Sequence, residues 1–289
     1  MTLRLLALLI ALALVWWVPQ VRTWRSLSWF RRWQAQCADV RGAGRVLLVL
    51  APPVIAVAVV GAILGSVDWL GILWLAFAVA VLVYTLGPRH LEADIDAVLE
   101  AEDPSGREAA AQHLRVHADD DAALPLQPAA LVEAGVTSAL KRRFGVLFWF
   151  IVLGPAGAML YRLAQQLGDH ADTDADSRGA ARRFAEVLNW PAAQLMVFTM
   201  ALVADYDAVT GAWRDWYRMP NRSPWWFDGG FLGAVARAGV RADIAAGDMA
   251  DLDVAAPLLA LADMRRLLAR VLLVWLAALA VVVLAGWVI

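Results

Sequence analysis

The chain has 289 residues, 61% of them hydrophobic and only 18% charged, with 15 tryptophans and a formal net charge of −2. That balance is too apolar for a soluble domain of ordinary composition and marks an integral membrane protein; the near-neutral charge offers no basic face for nucleic acid. The single cysteine, Cys37, excludes an intrachain disulfide framework and a cysteine-cluster zinc site, and the only lysine, Lys141, follows Leu140, so the Gly-Lys-[Ser/Thr] end of a P-loop, and with it a standard ATPase, is excluded.

A bilayer crossing needs about 20 apolar residues. Residues 3–18, 46–66, 69–87 and 267–289 meet or approach that length, so the expected fold is all-α, a polytopic helical membrane protein with four to six membrane-embedded helices and a helical cytoplasmic region. The first stretch starts with Arg4 and lacks the small-residue cleavage site of a signal peptide, so a retained helix is expected, with Trp16 and Trp17 at the interface. Arginines at 22, 25, 31, 32, 41 and 45 against one acid, Asp39, put the following loop in the cytoplasm. Trp24, Leu27, Trp29, Phe30 and Trp33 interleave with them, the pattern of an amphipathic segment on the membrane surface. Residues 1–87 thus read as N-terminal membrane helices with a basic amphipathic loop, the second and third spans forming a hairpin at Ser66-Val67-Asp68.

Residues 88–143 read as a polar helical cytoplasmic region. Within it Leu91, Ile95, Val98 and Leu99 share one helical face and Glu92, Asp96 and Glu100 another, expected to be solvated. His113 and His117 have the i, i+4 spacing of a metal pair and precede Asp119, Asp120 and Asp121, but without the glutamate of His-Glu-x-x-His a surface pair is expected, with no metal and no cofactor. After a break at Pro125 and Pro128, a short helix through Leu131, Val132, Ala139 and Leu140 ends in Lys141-Arg142-Arg143.

Residues 144–207 form a kinked membrane region, 208–266 a cytoplasmic helical region and 267–289 the last span. Arg265, Arg266 and Arg270 place the start of that span in the cytoplasm, as Lys141 to Arg143 do for residue 143, so an even number of crossings lies between. Two crossings, at 144–163 and 191–207, are favoured over two segments that dip in and return, with the linker between on the periplasmic side. Pro155 should kink or break its helix, and Gly154, Ala156, Gly157 and Ala158 permit another backbone or a ligand to come close. Arg162, costly in a membrane unless paired or snorkelling, makes the break a candidate anion site. The alternative is a packing kink with Arg162 among headgroups.

The stretches LFWFIVLGPAGAMLYRL, EVLNWPAAQLMVFTMALVADYDAV and YTLGPRHLEADIDAVLEA together resemble the AmpE family, inner-membrane proteins grouped with regulation of AmpC β-lactamase, over nearly the whole chain. That family falls in the wider group of adenosylcobinamide-phosphate synthases, CobD or CbiB. The synthases carry Glu-Asn-x-x-Asp-Gly where this chain, aligned without gaps, has Thr137, Ser138, Lys141 and Arg142. After the shared Gly157, Ala158, Tyr161 and Arg162, their Asn-Thr-x-Asp becomes Gln165, Gln166 and Gly168. Their Asp-x-x-Asn-Tyr-x-Pro-Ala-Arg becomes Glu186, Asn189, Trp190, Ala192, Ala193 and Gln194.

Charge reversal at an acid pair removes what transfer of a phosphate-bearing group near a metal requires, so the resemblance implies a retained scaffold without the synthase chemistry. It implies a multi-pass inner-membrane protein in signalling linked to cell-wall stress and β-lactamase induction. Tyr161, Arg162, Glu186, Asn189 and Gln194 are the implied ligand-binding residues and Gly154, Pro155, Gly157 and Ala158 the break and packing residues, with no catalytic residue assigned. The expected partners are the lipid bilayer, a small anionic ligand, and a membrane protein or second copy, not nucleic acid. A cobinamide-phosphate synthase-like enzyme and a membrane scaffold remain the alternatives.

Overall fold

The computed structural model describes residues 2–17, 28–37, 39–67, 70–86, 91–115, 123–168, 175–220, 227, 229–246 and 257–285. Among these residues the chain is all-α, without a strand. Its helices are α1 (Thr2–Trp17), α2 (Ser28–Gln36), α3 (Gly42–Gly65), α4 (Gly71–Thr85), α5 (Leu91–Glu100), α6 (Pro104–Ala111) and α7 (Pro128–Ala139). A π-turn, Leu140–Phe144, leads into α8 (Gly145–Leu153), followed by α9 (Pro155–Gly168), α10 (Ala175–Val203), α11 (Tyr206–Arg218), α12 (Phe231–Ala246) and α13 (Pro257–Leu284). Helices α3, α10 and α13 are long and apolar enough to cross a membrane, and α1 and α4 are shorter apolar helices. This is an all-α membrane protein. Trp16, Trp17, Trp24, Leu27, His117 and Asp119 to Asp121 lie outside the residues whose side chains are described.

The chain divides into two compact units, one of residues 1–88, 145–188 and 279–289, the other of residues 89–144 and 189–278. In the first, α3 and α4 form an antiparallel hairpin: Gly61 faces Phe77 and Gly65 faces Trp74, each at ordinary contact distance. Helix α1 packs on α4, with Leu3 beside Gly71, so the two start together. Helix α2 turns its aromatic face onto this group. Phe30 is fully buried, the Trp33 indole donates to the Val49 carbonyl at 3.1 Å, and the Trp29 indole donates to the Tyr84 hydroxyl at 2.5 Å. Part of the aromatic face assigned from sequence to the membrane surface is therefore taken up by the protein itself.

Residues 144–163 were expected to kink or break at Pro155, with a crossing favoured over a segment that dips in and returns. Instead α8 and α9 fold back on each other as an antiparallel helical hairpin, with Gly145 against the Tyr161 ring and Gly157 against the Trp149 carbonyl. The physical reason is local: Gly154 sits at φ +70°, a left-handed conformation that ends α8 as glycine commonly does, and Pro155 occupies the first position of α9, where its missing N–H is harmless. The chain then begins α10 beside the start of α3, where the Gly42 N–H donates to the Ser177 hydroxyl at 2.8 Å. Within this unit, residue 177 thus lies at the end where α3 begins, the end assigned to the cytoplasm, not on the periplasmic side expected for the linker.

A second correction concerns α10. The sequence offered an apolar run only from residue 191, yet the helix begins at Ala175 and continues through Pro191. Proline leaves the carbonyls of the preceding turn without regular partners. The carbonyl that loses its regular donor is that of Val187, and the Leu188 carbonyl beside it accepts from the Trp149 indole at 2.9 Å.

In the second unit, α12 packs against α7 and α11, and α5 against α6 and α7. The approach of α7 to α13 is close enough that a Cβ on Gly135 would fall 2.4 Å from the Met264 sulfur. That glycine is a packing requirement.

Candidate functional site

The tip of the α8–α9 hairpin is the most constrained backbone in the first unit. In an unbroken helix the Ile151 carbonyl would accept from the N–H of residue 155, but Pro155 has none. Arg4 fills the gap: its Nη1 donates to the Ile151 carbonyl at 3.0 Å and approaches the Val152 carbonyl at 3.5 Å. A cation at the C-terminal end of α8 also complements the helix dipole. Freed carbonyls at membrane depth must face protein or water, and here they face a guanidinium. Nothing in the sequence read alone pointed to Arg4; the only hint was a charge placed at the head of an otherwise apolar helix.

Below the tip the hairpin is tight. A Cβ on Gly157 would lie 2.3 Å from the Trp149 carbonyl oxygen and one on Gly145 would lie 2.1 Å from the Tyr161 ring, so both positions need glycine. Ala158 and Tyr161 are fully buried. Tyr161 therefore packs the hairpin, and its ring is walled by the Gly145 backbone.

Arg162 follows on a half-buried face of α9, close enough to act electrostatically on the Tyr84 hydroxyl that also accepts from Trp29. Glu186, also in the first unit, is exposed on α10. Asn189 and Gln194 belong to the second unit. Asn189 is buried, and Gln194 is half-buried with its amide donating to the Tyr217 hydroxyl at 3.0 Å. Around Gln194 the Phe198, Trp213, Tyr217 and Phe231 rings run edge to face or tilted at 5.8 to 5.9 Å. The Trp190 and Trp213 indole N–H groups are buried and, among the described residues, have no acceptor.

The π-turn at Leu140–Phe144 carries Lys141, which stands where the synthase motif has its aspartate, followed by Arg142 and Arg143. Arg142 donates through Nη1 to Asp94 at 2.5 Å and through Nη2 to the His113 carbonyl at 2.6 Å, Arg143 pairs with Glu92, and Asp96 pairs with Arg265 at 2.5 Å. The acidic line of α5, expected to face solvent, thus meets arginines from two other elements. Sequence periodicity shows a face but not what covers it. Ser138, one turn before, is fully buried with its hydroxyl unpaired. π-turns concentrate at functional positions, and here the wider turn presents three consecutive basic residues.

Farther along, Asp103 caps α6 by accepting from the Gly106 N–H at 2.8 Å and from the Ser105 hydroxyl. These bonds, with Arg107 nearby, hold its carboxyl below the ordinary aspartate range. Among the described residues no three His, Cys, Asp or Glu side chains gather as a metal centre would need.

Comparison with known proteins adds one relative. Over 215 residues the chain is 30% identical to a cobalamin biosynthesis protein CobD of Chromobacterium violaceum, a match covering 70% of this chain and 66% of that protein. The chain thus spans just under two thirds of the relative's length. The similarity supports the CobD/CbiB group and does not extend to the finer AmpE assignment. No family model matches, and no solved structure matches.

Proposed function

We propose that this chain is a cobinamide-phosphate synthase-like, multi-pass protein of the bacterial inner membrane that binds a small amide- or phosphate-bearing ligand. The observation that carries this reading is the 30% identity to a protein named for cobalamin biosynthesis over 70% of the chain. In the first unit the recognition groups are Arg162 and Glu186. Arg162 is half-buried, and a guanidinium partly shielded from water binds phosphate more strongly than an exposed one, through a planar fork that lysine lacks. In the second unit Gln194 and Asn189 are separate polar groups suited to an amide.

One observation favours a second reading, ligand sensing without turnover in the manner the AmpE resemblance implies. Thr137 and Lys141 stand at the places of the synthase carboxylates, and the adjoining Arg142 and Arg143 are held by acids of α5. A turn so neutralised has no carboxylate of its own for a metal or a proton. The deciding experiment is complementation of a bacterial strain lacking its adenosylcobinamide-phosphate synthase, with growth made dependent on cobalamin. Restored growth, lost in Arg162→Gln at equal protein abundance, supports the synthase reading. No growth, together with altered β-lactamase induction when the native gene is deleted, replaces it with the second.

A further inference from the structure

The first unit contains a groove of about 540 Å³ between α3, α9 and the first half of α10. We propose that this groove is a site for one anionic glycerophospholipid, an acyl chain lying along Val46, Leu50 and Val54 of α3 and the phosphate meeting Arg183 of α10. The volume falls in the range of specific ligand sites, about 300 to 1,000 Å³. Arg183 is the single charged residue among its lining, and the rest is apolar.

Three observations select a lipid over other occupants. Helix α3 is long enough to span a bilayer, yet only 17% of its most apolar window is buried within the chain, so its flank is open to lipid. The groove follows the first half of α3, directly after Arg41 and Arg45, the basic end where headgroups lie. Arg183 is exposed and, among the described residues, makes no hydrogen bond or ion pair. The Gly42–Ser177 hydrogen bond sets the starts of α3 and α10 level. Arg183 lies six residues beyond Ser177, about 9 Å further along its helix. An arginine side chain leaning toward its helix N-terminus covers most of that distance, carrying its guanidinium toward the phosphate level while its methylenes cover apolar surface.

The inference is independent of the function proposed above, because none of Arg162, Glu186, Asn189 or Gln194 lines the groove. It is tested on the full chain in detergent by native mass spectrometry, titrating dioleoylphosphatidylglycerol, dioleoylphosphatidylcholine or soluble glycerol phosphate. The expected result is one phosphatidylglycerol retained in preference to phosphatidylcholine, with retention reduced about tenfold in Arg183→Gln and largely kept in Arg183→Lys, as loss of one charge-assisted contact implies. Ala51→Leu fills the groove and should abolish retention without removing the charge. If that variant does not fold, Ala180→Leu fills the mouth and serves the same purpose. Arg214→Gln, an exposed arginine on α11 outside the groove, should bind as the parent chain does. Equal retention of both lipids, unchanged in Arg183→Gln, would mean loose boundary lipid only and would overturn the proposal. So would glycerol phosphate binding as tightly as the lipid, since the tail would then contribute nothing.

Discussion

The two units use their charged and polar donors in opposite ways. In the first, the donors go to backbone carbonyls: Arg4 to Ile151, Trp33 to Val49, Trp149 to Leu188, Arg45 to Gln34 and Arg182 to Gly168. In the second, arginines go mainly to carboxylates: Asp94, Glu92, Asp96, Glu133 and Asp243 each hold one. The difference follows the backbone. The first unit contains a left-handed glycine at 154 and in-helix prolines at 52 and 53, each of which frees carbonyls that an apolar surrounding cannot satisfy. The second carries these acids on the shorter helices α5, α7 and α12, within reach of arginines from neighbouring elements.

The comparison is broken most severely at the hairpin, where no donor can compensate for lost space. Gly157→Leu forces side-chain atoms into the Trp149 carbonyl and should destabilise the protein by about 3 kcal/mol, the upper part of the range for overpacking. At Gly168 a Cβ would meet Arg182 at 3.6 Å, an ordinary contact, so Gly168→Leu should cost less than about 1 kcal/mol. Thermal unfolding in detergent separates the two. Equal midpoints would mean α8 and α9 are not packed through Gly157.

In the second unit the largest effect is expected at Arg142. Its removal takes the Arg142 guanidinium away from Asp94, a carboxylate whose side chain is only 8% exposed. Arg142→Ala should lose about 2 kcal/mol, discounted from the figure for fully buried pairs because Arg142 itself is 20% exposed. The double variant with Asp94→Ala should recover part of that loss, since neither charge is then stranded. A double variant that merely adds the two single losses would show that the pair is not coupled.

Arg4 tests the other half of the comparison. Arg4→Gln exchanges a charged donor at the Ile151 carbonyl for a neutral, shorter one and should cost about 1.5 kcal/mol. If the carbonyls are what matter, Arg4→Lys recovers more stability than Arg4→Gln, and high salt changes little because no exposed ion pair is involved. A strong salt dependence of the Arg4→Gln effect would point to a long-range charge effect instead.

These cases show what was legible before the structure. Length and apolarity identified the all-α membrane class and the α3–α4 hairpin, because both are fixed by local composition. Gly154-Pro155 was legible as a break, since glycine and proline act on their own backbone. Whether the chain then continues or turns back was not legible, because that is decided by Gly145 meeting Tyr161 and Gly157 meeting Trp149, pairs 16 and 8 residues apart. The same applies to α10, where the Leu188 carbonyl, in the turn before Pro191, accepts from a tryptophan 39 residues upstream. The acidic face of α5 was visible as a face, but its arginine partners come from distant elements. Of the implied ligand residues, Tyr161 is occupied in packing, whereas the roles of Arg162, Glu186, Asn189 and Gln194 rest on the proposed function.

The smallest expected effect sharpens the comparison at a point where the second unit departs from its own pattern. Asp103 is a carboxylate that, unlike its neighbours on α5, serves the backbone: it accepts the Gly106 N–H at the start of α6. Because those bonds favour the ionised form, its folded-state pKa lies below the ordinary 3.8. The sign follows: the unfolded chain takes up a proton first as pH falls, so the stabilisation is fully present above 3.8 and is lost as pH drops through the lower folded-state value. Hydrogen exchange at the first turn of α6, followed by mass spectrometry, should be constant from pH 7 to pH 5 after correction for intrinsic rates. Protection of that turn should weaken only below the ordinary aspartate range. Asp103→Asn keeps an acceptor for the Gly106 N–H and should flatten this pH dependence while retaining most of the protection at pH 7. If the turn instead lost protection near neutral pH in both proteins, the cap would not be what holds the start of α6.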